Sequence, residues 1–311
     1  RDRVVQTALV SVLEPIFEQE FGEHSYGFRP GRSAQEAIAR VEDLLEQGNH
    51  WVIDADLKGY FDTIPQEQLL KAVAEKVSDG KVLELIGKYL KQGVMETGKE
   101  WKPTKTGTPQ GAVLSPLLSN LYLNPLDHAM AQGGKQMTRY ADDFIIQCQS
   151  REEAEEVLKE VEEWVEQAGL TLHPEKTRII DASQSGGFEF LGWHFERGRK
   201  WPREKSVKGF KESLRKKTPR NLGKNLGKTI VEINRQLRGW GHYFRGGDGY
   251  IYAALDGWLR MRFRSILRRR AKRKGRGRGL DHHRYPNAYF AELGLISLKA
   301  LATAKRASPA T

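Results

Sequence analysis

Cysteine is nearly absent from this chain. Cys148 is the only one in 311 residues, which excludes an internal disulfide and a multi-cysteine zinc site and fits a reducing, cytoplasmic setting. Long apolar runs are missing too. Nothing approaches the ~20 apolar residues that span a bilayer, and no secretory-signal pattern is read at the start. Acidic residues are the third shortage: 40 Asp and Glu stand against 51 Lys and Arg, a net charge of +11 with a pI near 9.6. That surplus points to a polyanionic partner, either nucleic acid or an anionic membrane surface. No amphipathic anchor supports the membrane, so no membrane partner is expected. The eight histidines are scattered. His282 and His283 lack partners at zinc-ligand spacing and read as surface or RNA-facing.

What is present suffices for one large domain with an appendage, or for two domains. The chain opens at Arg1 rather than Met, directly in a helical pattern that places Val4, Ala8, Val12 and Phe17 on roughly one face. It reads as a fragment whose N-terminus lies upstream. Helices are expected at 33–47, 65–76 and 81–92, over the apolar stretch "AVLSPLLSNLYLNPLDHAM", and at 151–168. Strands are expected in "HWVIDADL", in a hairpin around Asp142, in "LTLHPEKTRII" and in "GFEFLGWHF". This irregular mixture suggests an α+β layer with helices on one face of a small sheet. From Glu196 basic residues dominate and the apolar period turns helical (Ile230, Ile233, Leu237, Trp240). A boundary is expected within 197–205, giving domains 1–200 and 201–311. The Gly-Arg tract at 274–279 reads as a flexible basic loop.

The stretch "TRYADDFIIQC", residues 138–148, sets Asp142 and Asp143 side by side between two runs of strand formers. Adjacent carboxylates repel, so the pair is either a polar turn or a place where a cation offsets the repulsion. In "WVIDADLKGYFDTI", strand alternation puts Asp54 and Asp56 on one face and Trp51, Ile53 and Ala55 on the other. Carboxylates at a buried strand end need a cation or hydrogen bonds. If the two strands are neighbours, three carboxylates converge. Hard oxygen ligands of this kind suit a pair of Mg2+ ions, with Mn2+ as a substitute. Two such ions stabilise the attacking and leaving oxygens of an in-line phosphoryl displacement, the chemistry of polymerases and nucleases.

"YADD" in a hairpin, the "DLKGYFD" strand and the "GTPQGAVLSPLLSNLYL" loop-helix resemble the palm motifs of reverse transcriptases. The version here is similar to group II intron-encoded reverse transcriptase/maturases. "SYGFRPGRSAQEAI", "GLTLHPEKT", "FEFLGWHF" and "INRQLRGWGHYFR" support the resemblance in the right order. It implies a right-hand fold with a small antiparallel palm sheet and packed helices, followed by an α-helical thumb/maturase domain. It also implies that Asp56, Asp142 and Asp143 are the catalytic, metal-binding triad, with the Leu57 carbonyl as a further ligand. Asp54 reads as structural and Asp62 as a helix-start or turn partner. Phe61 matches the aromatic gate that rejects a 2′-OH, against ordinary core packing. Gly107, Thr108, Pro109, Gln110 and Gly111 match the loop over the nascent base pair, against a plain capping turn. Arg29 and Arg32 match template or triphosphate contacts, against a surface ion pair. Lys176 sits where a lysine lies near the leaving pyrophosphate, against a lone surface lysine. Phe190, Leu191 and Gly192 match the primer grip. The family's upstream fingers segment, with its triphosphate clamp, is not in the chain as it stands.

The basic last third interleaves its charges with Trp201, Trp240, Tyr243, Phe244, Tyr250, Tyr252 and Trp258. Much of that aromatic content reads as bundle core, and the charges read as the RNA contacts: Lys216, Lys217, Arg238, Arg268, Arg269 and Arg270. The implied partners are template or intron RNA, a DNA primer or target, and dNTPs, with a homodimer left open. Nothing before Thr311 resembles an added DNA-binding or His-Asn-His endonuclease domain. Three functions follow: an RNA-directed DNA polymerase that also assists splicing and mobility, a maturase whose polymerase activity is dispensable, or a related polymerase recruited to phage defence or CRISPR spacer acquisition.

Overall fold

The computed structural model describes residues 2–91, 106–109, 111–273 and 279–303, so Gln110 and most of the Gly-Arg tract lie outside the described residues. The chain divides into two units, Arg1–Leu191 and Gly192–Thr311. In the first, α1 (Asp2–Glu18) and α2 (Ala34–Glu46) precede strand β1 (Trp51–Asp56), a one-turn α3 (Tyr60–Thr63), α4 (Gln66–Ala74) and α5 (Gly80–Leu90). Then come α6 (Ser115–Gln132), strands β2 (Gln136–Tyr140) and β3 (Asp143–Cys148), α7 (Arg151–Gln167), and the short strands β4 (Arg178–Asp181) and β5 (Phe188–Phe190).

The sheet runs β2-β3-β1-β4, antiparallel at each junction. One face carries Met137, Ile53, Ala55, Phe144, Ile146 and Cys148 into a single core with Leu123 and Leu126 of α6 and Val157 and Val161 of α7. Burial pushes the Cys148 thiol up to about 12, so it behaves as a small hydrophobe. The expectation of helices on one face only needs correcting. The α2 helix packs on β2 and β3 from the other side, where Gln147 Nε2 donates to the Val41 carbonyl at 3.2 Å. Its start is local chemistry, since the Ser33 side chain caps the Glu36 N–H and its hydroxyl donates to the Glu36 carboxylate. On α1 the expected face is also wrong. Val4 and Val12 are exposed, while Gln6, Leu13 and Phe17 are buried. Gln6 Oε1 accepts from Val113 N at 2.8 Å and Leu114 N at 3.4 Å, and that anchor sets the helix rotation.

The second unit opens with a hairpin, β6 (Trp193–Glu196) and β7 (Arg199–Pro202). Its two-residue turn has positive φ at both Arg197 (51°) and Gly198 (67°), as a type I′ turn requires. Helices α8 (Glu204–Lys217), α9 (Leu226–Tyr243), α10 (Gly249–Arg270), α11 (Leu280–Arg284), α12 (Asn287–Glu292) and α13 (Leu298–Thr303) follow. Trp240 stacks on Phe210 at 4.5 Å, and Phe244 lies 5.0 Å from Trp193, so these rings are core. The buried Asp256 of α10 accepts from the N–H groups of Leu298 (2.9 Å) and Lys299 (3.2 Å), capping α13 from a neighbouring helix.

The two units divide before the 197–205 segment where the composition shifts. The reason is that the β6–β7 hairpin packs with the helices after it. Trp193 meets Phe244, Asp248 N donates to the Lys200 carbonyl at 3.0 Å, and Arg199 pairs with Asp248. Among the described residues no helix is long and apolar enough to cross a membrane.

Candidate active site

Asp56 and Asp143 are direct cross-strand partners at the ends of β1 and β3, so their side chains leave the sheet on the same face. Asp142 is the last residue of the β2–β3 turn, which Ala141 bends with φ of 61°. The α2 helix covers the Gln147 end of that face, which leaves the carboxylate end open. Burial pushes the Asp142 carboxyl above its ordinary range; a backbone N–H and Arg139 oppose the shift, and the Asp56 charge adds to it.

A second segment reaches the same strand end. Lys58 N donates to the Thr171 carbonyl at 2.8 Å and His173 N to the Asp56 carbonyl at 2.7 Å, with Leu57 opposite Leu172. Those bonds flank Leu57, so its own carbonyl points to the side of β1 on which β3 lies. The same segment carries Lys176, whose Nζ sits 2.7 Å from Asp56 Oδ2. Asp54 is taken up differently. It lies opposite Arg178 in register and pairs with it at 3.2 Å, a structural brace.

Among the described residues no three His, Cys, Asp or Glu side chains stand together as a ready metal cage. The donor set nevertheless fits a divalent cation. It offers hard carboxylate oxygens and a peptide carbonyl on one open strand end, and burial, with the Asp56 charge adding to it, already disfavours the bare Asp142 carboxylate there. Lys176 supplies positive charge to Asp56.

Two motifs far apart in sequence meet beside the carboxylates. Thr108 N donates to the Phe61 carbonyl and Gly107 N to the Ile64 carbonyl, both at 2.7 Å. Gln66 Nε2 binds the Gly107 carbonyl at 2.9 Å. A Cβ on Gly107 would stand 2.6 Å from the Phe61 carbonyl oxygen, so only glycine permits this approach. Phe61 is partly buried against the core, its ring 5.4 Å from that of Tyr60. Gly111 is exposed with φ of 79°, and Asp62 accepts Thr106 Oγ1 on its backbone carbonyl at 3.1 Å, a turn partner.

The hairpin is held from beneath by residues the sequence reading passed over. Arg139 is fully buried, pairs with Asp127, and donates to Asn120 Oδ1 at 3.0 Å and to the Ala141 carbonyl at 2.8 Å. Asn120 Nδ2 donates to the Gly27 carbonyl at 2.7 Å, and a Cβ on Gly27 would strike Ala141 N at 2.2 Å. One helix turn on, Asn124 Oδ1 accepts from Gly22 N at 3.0 Å. The available signal was the polar stripe Asn120, Asn124, Asp127 in an otherwise apolar helix, at the i, i+4, i+7 spacing of one face.

Other expected contacts do not assemble here. Arg29 is buried, its guanidinium spent on Glu18 (2.8 Å) and on the carbonyls of Gly22 (2.6 Å) and Ser25 (2.7 Å). It is a structural clamp rather than a substrate contact. Arg32 lies over the Tyr26 ring at 5.6 Å and lines a cleft of about 420 Å³ that includes Gln136, at the end of β2 away from Asp143. Phe190 is buried, and the Gly192 carbonyl is taken by Arg203 N and Ser206 Oγ. Leu191 between them has φ of 47°. In the second unit Lys216, Arg238 and Arg269 are exposed and Lys217 is half-buried. Arg268 binds the buried Asp281 at 2.7 Å, which makes it structural. Arg270 is exposed but ties one nitrogen to the carbonyls of Leu222 and Lys224. His282 and His283 are both exposed.

Comparison with known proteins agrees with this geometry. Residues 1–195 match the family model "Reverse transcriptase (RNA-dependent DNA polymerase)", and residues 207–285 match "Group II intron, maturase-specific domain". "Protein YkfC" of Escherichia coli is 34% identical over 238 residues, 64% of this chain and 62% of that protein. "Group II intron-encoded protein LtrA" of Lactococcus lactis is 40% identical over 131 residues, 42% of this chain and 22% of that protein. The chain therefore spans less than two thirds of the length of these relatives. The fold of apo telomerase from Candida tropicalis superposes with a TM-score of 0.53 at 13% identity, covering 97% of this chain and 56% of that one. The chain has the α+β reverse-transcriptase fold followed by a helical maturase region, and it belongs to the reverse transcriptase (RNA-dependent DNA polymerase) family, in its group II intron branch.

Proposed function

We propose that the chain is an RNA-directed DNA polymerase, in which a primer 3′-OH attacks the α-phosphate of a dNTP paired to an RNA template. The observation that carries this reading is the register pairing of Asp56 with Asp143, with Asp142 on the adjoining turn. Two Mg2+ ions bound by Asp56, Asp142, Asp143 and the Leu57 carbonyl would supply charge stabilisation to the attacking and leaving oxygens. The chain's own groups do the rest. Lys176, already beside Asp56, moves to the leaving pyrophosphate once Asp56 is neutralised from elsewhere. The Gly107–Thr108 backbone, tied to Phe61, forms with it one wall against the sugar and base of the incoming nucleotide. Gln110, outside the described residues, is assigned to nucleotide or template contact by its place in the motif. The exposed Lys216, Arg238 and Arg269 neutralise phosphates of the bound RNA.

A second activity, helping an intron RNA fold and splice, is supported by the maturase match over 207–285. The deciding experiment is primer extension on an RNA template with dNTPs and Mg2+. Extension that stops on chelation supports the polymerase. Tight RNA binding without extension gives the lead to a binding-only maturase. Phe61→Ala is expected to raise ribonucleotide incorporation roughly 10- to 200-fold, the worth of filling or emptying an apolar contact. Unchanged sugar selectivity would leave Phe61 a core residue.

A further inference from the structure

Trp258 is one of the aromatic side chains of the second unit that are not fully buried. It lies half-buried on α10, and three cations converge on its ring: Arg262 at 5.4 Å, Arg215 at 5.6 Å and Lys211 at 5.9 Å from the centroid. Lys211 and Arg215 stand one turn apart on α8, so both stems rise from the same face of that helix. Among the described residues neither pairs with a carboxylate. Arg262 is different, since its Nε donates to Thr218 Oγ1 at 2.8 Å and its Nη2 to the Thr218 carbonyl, capping the C-terminal end of α8. Burial and the charge of Arg215 both push its guanidinium below the ordinary range. Beside the ring is an open cleft of about 210 Å³. Trp258, Met261 and Ile266 form its apolar walls, and Thr218, Arg220 and Ser265 its polar rim.

Like charges gathered around one ring repel each other, and among the described residues no carboxylate pairs with Lys211, Arg215 or Arg262 to offset them. An apolar slot with a flat aromatic wall and cations gathered around that ring matches a nucleobase with its phosphate attached. We propose that this cleft holds one unstacked nucleotide of single-stranded RNA, its base against Trp258 and its phosphate on Lys211 and Arg215. Pinned by Thr218, Arg262 keeps the wall in place while the two α8 stems swing outward onto the phosphate. A base inside an A-form duplex cannot enter, because its faces are already stacked. The cleft therefore distinguishes single-stranded from paired RNA, which a backbone-reading surface does not.

The inference rests on the second unit binding RNA. It is tested with the whole 311-residue chain, a fluorescein-labelled 20-nucleotide oligoribonucleotide, and the same oligomer as a duplex, at one fixed salt concentration. Trp258→Leu keeps apolar bulk and removes the stacking surface. Single-strand affinity is expected to fall roughly 10-fold, within the range of one lost base–aromatic stack, with duplex affinity unchanged and Trp258→Phe restoring most of the loss. The Lys211→Ala/Arg215→Ala pair is expected to flatten the single-strand salt dependence by about 0.7 log-log units, the worth of the one phosphate they share. Photo-crosslinking of the unaltered chain to a 4-thiouridine oligomer provides a readout that needs no variant, and the adduct is expected on the peptide containing Trp258. Equal loss on single strand and duplex, no loss on either, or an adduct elsewhere would each overturn the proposal. If the unaltered chain binds neither RNA, the RNA-binding reading of this unit falls with it. If it binds both and Trp258→Leu changes nothing, only the stacking cleft falls. Polymerase activity is read separately by primer extension.

Discussion

Asp142→Asn is expected to lower primer extension by about three orders of magnitude or more, because the lost carboxylate removes several kcal/mol of transition-state charge stabilisation. RNA affinity should hardly change, since the phosphate contacts proposed above lie in the second unit. The same substitution is expected to raise thermal stability at neutral pH. In the fold, burial holds the Asp142 carboxyl above its ordinary range, so ionising it there costs more than in the unfolded chain. For a raised acid the penalty is absent below the unfolded value and complete above the folded one. Melting temperatures of the two proteins should therefore converge as pH falls below the ordinary aspartate range, near 3.9. Addition of Mg2+ at neutral pH should stabilise the unaltered protein more than the variant. Loss of extension together with loss of stability or RNA affinity would make the acidic pair a structural turn instead.

Arg139→Met carries the largest expected stability effect. Arg139 is fully buried and burial alone would depress its guanidinium; Asp127 more than offsets this. Removing it strands the Asp127 carboxylate, at a cost of about 3–5 kcal/mol, or roughly 10 °C in the melting temperature of the first unit. Arg139→Met with Asp127→Leu replaces the ion pair by apolar contact and is expected to recover most of that stability. Extension should not recover with it, because the Ala141 carbonyl has lost the donor that holds the turn carrying Asp142. A double variant that regains both stability and extension would show that the pair only fills space. Chemical denaturation and primer extension on the same samples separate the outcomes.

Several site features were legible because their causes are local. The alternation that puts Asp54 and Asp56 on one face follows from strand geometry. Ser33 starts α2 because its hydroxyl accepts the free Glu36 N–H and donates to the Glu36 carboxylate. The group II branch was legible because motifs quoted from Ser25 to Arg245 occur in one order, and the family matches agree.

Distance along the chain hid the rest. An arginine reads as the same charge whether water, phosphate or a buried carboxylate receives it. Only the fold assigned Arg29 to Glu18 and Arg268 to Asp281, leaving Lys216, Arg238 and Arg269 exposed. The apolar face of α1 was misread because its rotation is set by Gln6 reaching residues 113 and 114. A tryptophan in the core and one beside an open cleft have the same local pattern, so Trp240 and Trp258 were separable only by their neighbours. By itself the sequence determined the element types, the carboxylates and the branch of the family, because those follow from short-range periodicity and motif order. Tertiary structure alone decided which strand end joins Asp56 to Asp143, which cations are free to meet RNA, and how the hairpin is braced. Those depend on long-range pairing and burial, where each side chain's role is set by what packs against it.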